Sequence, residues 1–363
     1  MNNERIYVRE PGTTAANQYF AELDSIRFLA FLLIFIHHTQ STSLPIVSDI
    51  QRIGWIGVDI FLCLSAFLLT RLLTLELKIH GNLRIGKYYV RRILRIWPLY
   101  FSYVIFILVS VVIQGTSAEN RFRFATLATF TDNIATAFEG FNPIVATEHL
   151  WTISYEEQFY LLLPFFVLLT IRLKRNQRLV LLAILLSIGL MSRKFLINSN
   201  IDFQPAAWVL PFTHFESVIA GFILALNYEW LKGKRSLFVV FSILTFVVLL
   251  AFPDPEINEL HVLISYSVVA LFSFSVVTVA TTSLRHSRFL DVIRYLGKIS
   301  YGLYVFHLLC LTIAYHFTLF ANPLLDSLAA LSGCVLLATF TFEFFEKRFL
   351  QLKSRYSSFV EKT

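Results

Sequence analysis

The chain has 363 residues, 56% of them hydrophobic and only 15% charged, with a mean hydropathy of +0.65. Soluble domains carry roughly 25% charged residues, so this balance excludes a large soluble enzyme and points to a polytopic membrane protein. The net charge of +7 does not signal a nucleic-acid partner, because its placement follows membrane orientation instead.

Residues up to Phe20 are polar and lack the apolar stretch of a cleavable signal, so Met1 is expected to begin the mature chain. Ten apolar segments of about 20 residues follow, at 24–44, 54–75, 97–115, 150–171, 178–197, 206–228, 236–252, 262–283, 299–320 and 325–346. The predicted fold class is all-α, a polytopic bundle of about ten transmembrane helices with both termini cytoplasmic. That orientation leaves Arg52, Arg121, Arg123, Arg193 and Lys194 outside and the other 26 of 31 Lys and Arg inside, as the positive-inside rule requires. One membrane domain is expected over 1–350 and a short cytoplasmic tail over 351–363. No repeat at solenoid periods divides the chain. Cys63, Cys310 and Cys334 lie in apolar segments without ligand spacing, which suits packing and gives no basis for a metal site.

Ionisable groups inside spans are costly and therefore mark candidate functional positions. In the first span, Arg27 and His38 are eleven residues apart. That is almost three turns, which places both on one helix face about 16 Å apart along the axis. His37 must face elsewhere. Asp59 opens the second span within Gly57-Val58-Asp59-Ile60-Phe61; it reads equally as a reactive carboxylate or as one interacting with a helix dipole. The inner loop 76–96 is strongly basic and ends in Arg91-Arg92-Ile93-Leu94-Arg95. The outer segment 116–149 offers Asp132, Glu139, Glu148 and His149 as an entrance, and 253–261 reads as an outer turn. The fourth span carries Glu156 and Glu157 in its first half, and they point about 100° apart, so one should face a cavity and the other a structural partner. His214, Glu216 and His307 are most simply hydrogen-bonded packing residues. Glu343 and Glu346 beside Lys347 and Arg348 read as an interfacial ion-pair cluster.

These residues together resemble the acyltransferase family 3 group of multipass membrane enzymes, over about residues 20–350. The resemblance rests on five motifs in order: Arg27-x10-His38; Gly57-Val58-Asp59-Ile60-Phe61 with Leu64-Ser65-Ala66-Phe67-Leu68; Arg91-Arg92-x-x-Arg95-Ile96-x-Pro98-x-Tyr100; Leu150-Trp151-Thr152-Ile153-Ser154-Tyr155-Glu156-Glu157-Gln158-Phe159-Tyr160; and Ser300-Tyr301-Gly302-Leu303-Tyr304 with His307. Two departures stand out. Ala66 replaces the usual glycine, and no proline follows Glu346-Lys347-Arg348, so that helix end is free to run on. The resemblance implies a multi-pass protein of the cytoplasmic (inner) membrane with ten spans and cytoplasmic termini. It also implies transfer of an acyl group, often acetyl, from cytoplasmic acyl-CoA to a hydroxyl of an extracytoplasmic or lipid-linked carbohydrate.

The chemistry expected is direct transfer rather than a serine-linked intermediate, with a transient acyl group on His38 as the open alternative. His38 acts as general base on the acceptor hydroxyl, because a neutral imidazole suits that role near operating pH. Glu156 is expected to orient its ring, as in triad-type arrangements. Arg92 and Arg95 are expected to hold the CoA phosphates, with Arg27 continuing the positive track inward. No metal is required. The rival reading is a proton-coupled transporter using the buried His and Glu residues, which would favour inverted repeats that the sequence does not display.

Overall fold

The computed structural model describes residues 20–40, 44–115, 117–199, 204–251, 259–282, 288–320 and 322–356. The expectations for residues 1–19, for most of the 253–261 turn and for tail residues 357–363 lie outside these. Among the described residues all regular secondary structure is helical. In chain order the helices are α1 (Ala21–His37), α2 (Pro45–Ile53), α3 (Ile56–His80), α4 (Ile85–Gln114), α5 (Ala118–Ala128), α6 (Asp132–Glu139), α7 (Trp151–Arg172) and α8 (Arg175–Asn198). They continue with α9 (Ala206–Val209), α10 (Glu216–Leu231), α11 (Arg235–Ala251), α12 (Glu259–Thr281), α13 (Arg288–Lys298), α14 (Ser300–Phe317), α15 (Pro323–Thr341) and α16 (Lys347–Ser354). A 3₁₀ turn, Glu148–Leu150, leads into α7, and a π turn, Phe342–Glu346, joins α15 to α16.

Among the described residues six helices are long and apolar enough to cross a membrane: α3, α4, α8, α12, α14 and the continuous stretch Pro323–Lys353. The other four predicted spans fall on α1, α7, α10 and α11. Of these α1, α10 and α11 are only 17, 16 and 17 residues long, and α7 carries Glu156 and Glu157. Large apolar side chains such as Ile113, Met191, Phe195 and Leu336 face outward, as expected of surfaces solvated by lipid rather than water.

The first predicted span overshoots. α1 stops at His37, with His38 as its C-cap. The polar run His37-His38-Thr39-Gln40 is held by α2 instead: Gln51 Nε2 donates to the carbonyls of Thr39 and Gln40 at 3.1 and 2.8 Å, and the carbonyl of Gln51 meets His37 Nδ1 at 2.7 Å. Pro45 at the first turn then starts α2 as a separate helix. At the other end the chain runs on, as the missing proline allows, through the π turn into α16.

Helices α1, α3, α10 and α12 pack as the centre of the bundle. Two close approaches set their spacing. A Cβ on Gly57 would lie 2.3 Å from the Ala30 carbonyl oxygen, and one on Gly221 would lie 2.1 Å from that of Cys63 and 2.8 Å from Ala66 Cβ. Ala66, where the resembled family has glycine, thus sits fully buried against Gly221. Two of the outer cations are not surface charges at all. Arg193 is buried, paired with Glu216 at 2.6 Å and donating to the Thr213 carbonyl at 2.6 Å. Arg123 is buried beside Asp132 at 3.6 Å and donates to the Gly140 carbonyl at 2.5 Å.

Candidate active site

Two cavities lie end to end inside the bundle. The outer one, of about 380 Å³, is lined by His37, His38, Arg52, Trp55, Glu148, His149, Trp151 and Trp208 among others. The inner one, of about 130 Å³, is lined by Arg27, Arg92, Arg95, Glu156, Tyr160 and Tyr301 among others. Four residues line both: Ile34, Val58, Thr152 and Tyr304. They form a thin septum whose polar atoms are the hydroxyls of Thr152 and Tyr304, 2.5 Å apart. One face of α1 runs along the whole path, with Arg27 in the inner cavity, Ile34 in the septum and His38 in the outer cavity. The spacings of seven and eleven residues keep these positions in line on a helix.

Two imidazoles in the lining of the outer cavity, His38 and His149, pack against a third, His307, which is fully buried behind them. The His307 ring centroid lies 5.1 Å from that of His38 and 4.7 Å from that of His149. Each ring has one nitrogen against a backbone carbonyl: His38 Nδ1 on Ile34 at 2.8 Å, His307 Nδ1 on Tyr304 at 2.5 Å and His149 Nε2 on Val305 at 3.2 Å. A carbonyl only accepts, so in the neutral rings these nitrogens carry the proton. The lone pairs then sit on Nε2 of His38, Nε2 of His307 and Nδ1 of His149; the last two have no hydrogen-bond partner among the described residues. Among the described residues no group of three or more His, Cys, Asp or Glu is arranged to hold a metal ion. At the cavity wall, burial pushes the Glu148 carboxyl above the usual carboxylate range.

The expected contact between Glu156 and His38 is not formed. His38 caps α1, where the last helical carbonyls lack partners, and its Nδ1 takes the carbonyl of Ile34. Glu156 lines the other cavity, where Tyr160 donates to it at 2.8 Å. The two glutamates diverge as their 100° separation requires: Glu157 accepts from Trp97 Nε1 at 3.2 Å and lines neither cavity. Asp59 also lines neither. It is fully buried and accepts from Ser217 Oγ and from His214 Nε2, the latter at 3.0 Å, while His214 Nδ1 donates to the Trp208 carbonyl at 2.9 Å. That network ties α3 to α10 and steadies Trp208, a wall of the outer cavity.

Of the basic residues, Arg27 pairs with Asp24 at 2.7 Å and Arg91 with Glu76 at 3.3 Å. Arg92 and Arg95 line the inner cavity and form no ion pair with a carboxylate among the described residues. Buried Glu346, turned inward by the π turn, lies within electrostatic range of Arg95. It is not the surface cluster partner expected, whereas Glu343 does pair with Lys347. Of the entrance candidates, Glu148 and His149 line the outer cavity. Asp132 is buried under Asn142 and Thr126, at 2.9 and 3.0 Å, and Glu139 is exposed. His149 lines the cavity as an entrance residue should, whereas His307 reads in the sequence as packing alone; the signal available for His307 is its place in the last quoted motif, on α14.

The described residues thus give an apolar helical bundle holding two adjoining polar cavities, one lined by histidines and one by arginines. The acyltransferase family 3, whose profile is that of an acyltransferase domain, matches residues 20–343, and the chain belongs to it. It is similar to the Peptidoglycan O-acetyltransferase OatA of Listeria monocytogenes serovar 1/2a, 24% identical over 317 residues, covering 81% of this chain and 50% of that protein. The protein named Putative O-acetyltransferase SACOL0978 in Staphylococcus aureus (strain COL) is 26% identical over 329 residues, covering 80% and 50%. One named Putative acetyltransferase ORF330 in Acidianus two-tailed virus is 27% identical over 309 residues, covering 82% and 85%. The chain thus spans about half the length of the first two relatives. No solved structure matches it. What the family shows is an acyltransferase domain over most of the chain.

Proposed function

We propose that this protein moves an acyl group, acetyl by preference, from cytoplasmic acyl-CoA to a hydroxyl of an extracytoplasmic or lipid-linked carbohydrate, within the cytoplasmic membrane. The observation that carries the reading is the shared septum. A donor entering from the arginine side and an acceptor entering from the histidine side approach the same four residues, Ile34, Val58, Thr152 and Tyr304. The unpaired guanidiniums of Arg92 and Arg95 suit phosphate, which each can grip bidentately, and Arg27 extends that positive track towards the septum. Tryptophans 55, 151 and 208 in the outer wall offer flat apolar faces of the kind that hold sugar rings.

In the proposed step His38 Nε2 takes the proton of the acceptor hydroxyl as its oxygen attacks the thioester carbonyl carbon. The tetrahedral intermediate collapses with cleavage of the C–S bond, and the departing thiolate recovers the proton from the imidazolium. The Ile34 carbonyl does the orienting by holding Nδ1–H, so that Nε2 is the base. Glu156 works in the inner cavity, where it lies within electrostatic range of Arg27 and Arg92 and offsets their charge. Asp59 is a positioning residue through His214 and Trp208.

The test uses membranes holding equal amounts of wild type and His38→Ala, given radiolabelled acetyl-CoA with and without envelope glycans. Loss of transfer by roughly 100-fold or more is expected of a missing general base. Full transfer by His38→Ala would remove the imidazole from the mechanism. Arg92→Ala with Arg95→Ala should weaken donor affinity; unchanged affinity would reduce those residues to orientation signals.

A further inference from the structure

We propose that Lys353, on the helix that follows the last span, completes the donor site by meeting a phosphate monoester at the far end of the acyl donor. The inference rests on the acyl-CoA reading above and adds to it a residue that selects the phosphorylated donor over a dephosphorylated one.

The tail is not a free appendage. The π turn Phe342–Glu346 lets the chain continue into α16, which packs along α4, the helix that bears Arg91, Arg92 and Arg95. Turns of this kind re-aim the residues that follow them and recur at functional sites. Arg91 fastens the arrangement: its Nη2 donates to Glu76 at 3.3 Å and its Nη1 to the carbonyl of Tyr356 at 3.0 Å. Glu76 in turn accepts the backbone N–H of Arg84 at 3.0 Å. The end of α16 is thereby tied across the inner mouth.

That tie places the half-buried Lys353 ammonium within electrostatic range of Arg27, Arg91, Arg92 and Arg95. Arg27 and Arg91 have their own carboxylates, Asp24 and Glu76. Lys353, Arg92 and Arg95 form no ion pair with a carboxylate among the described residues. Glu156 and Glu346 lie within electrostatic range of Arg92 and Arg95. Among the described residues the charged groups within range of Lys353 are the four arginines alone, and gathering like charges in partly dry surroundings is unfavourable unless an anion lies between them. The order along the path fits a long donor entering thioester first. Arg92 and Arg95 line the cavity, whereas Lys353 does not and so stands outside it. The diphosphate would meet the arginines, and the terminal phosphate monoester, with its denser charge, would meet the compact ammonium. An anionic lipid headgroup is the other source of the same chemistry, and the test separates the two.

Wild type, Lys353→Ala and Lys353→Arg are compared in nanodiscs of lipid without net charge, with acetyl-CoA and 3′-dephospho-acetyl-CoA as donors and kcat and KM measured for each. Wild type should favour the phosphorylated donor about tenfold or more in KM, the scale of one charge-assisted contact. Lys353→Ala should erase that preference by raising KM for acetyl-CoA alone, with kcat unchanged, and Lys353→Arg should keep most of it. An equal loss on both donors, or a loss seen only in anionic lipid, would overturn the proposal, as would a wild type blind to the phosphate. If wild type uses neither donor while transferring acyl groups from another thioester, the acyl-CoA reading fails, and the role of Lys353 with it.

Discussion

Glu156 and Glu157 are the same residue type one position apart, and their neighbours give them different work. Glu157 accepts a single bond from Trp97, which an amide carbonyl accepts equally well. Glu157→Gln should therefore keep transfer within a factor of about three. Glu156 shares the inner cavity with Arg27 and Arg92, and the proposed role is to offset their charge. Glu156→Gln should lower transfer about tenfold or more at equal membrane abundance, a difference read by parallel assays of the two variants. Equal effects, or the reverse order, would show that cavity position does not decide the roles. The adjacent histidines both line the outer cavity but differ in their partners. His37 is exposed and bound to the Gln51 carbonyl, while His38, one position on, turns its ring to His307.

At the scale of helices, the site depends on how closely α1 can lie against α3. The Gly57 Cα faces the Ala30 carbonyl, and any Cβ there would sit 2.3 Å from that oxygen and 2.8 Å from Ile34 Cγ1. Ile34 is both a septum residue and the carbonyl that orients His38. Gly57→Val should thus cost about 1–3 kcal/mol, the range for overpacking a core, and should also reduce transfer by displacing the septum. Thermal unfolding in detergent together with an activity assay checks both. A stable variant with full activity would mean that α1 is free to give. The π turn acts at the same scale, since it carries Glu346 inward and α16 across the inner mouth.

For the whole molecule, the outward apolar faces fit a bundle set in the bilayer, and the proposed function requires the histidine cavity to open outside and the arginine cavity inside. Cysteine labelling tests that orientation, since Cys63 and Cys334 are buried and Cys310 is half-buried. In a variant with Cys310 replaced, a cysteine introduced at exposed Glu139 should react with a membrane-impermeant maleimide added to intact cells. One introduced at exposed Lys174 should react only after the cells are opened. Swapped reactivity would invert the orientation, and reaction of both from one side would mean that α7 does not cross the bilayer.

The helical class and the family were legible in the chain because they rest on local quantities: runs of apolar residues, charge asymmetry between loops, and motifs whose spacing survives in one dimension. The face shared by Arg27 and His38 was legible for the same reason, as helical periodicity is set by residues a few positions apart. What each polar group touches was not. The gathering of His38, His149 and His307, the separation of Glu156 from His38 and the burial of Asp59 against His214 all depend on how distant helices rotate and pack. Hydropathy is blind to that rotation, because a buried imidazole counts the same whether it meets a carbonyl, a carboxylate or a cavity. The division of one expected polar cavity into two that share a wall was therefore decided by the tertiary structure alone.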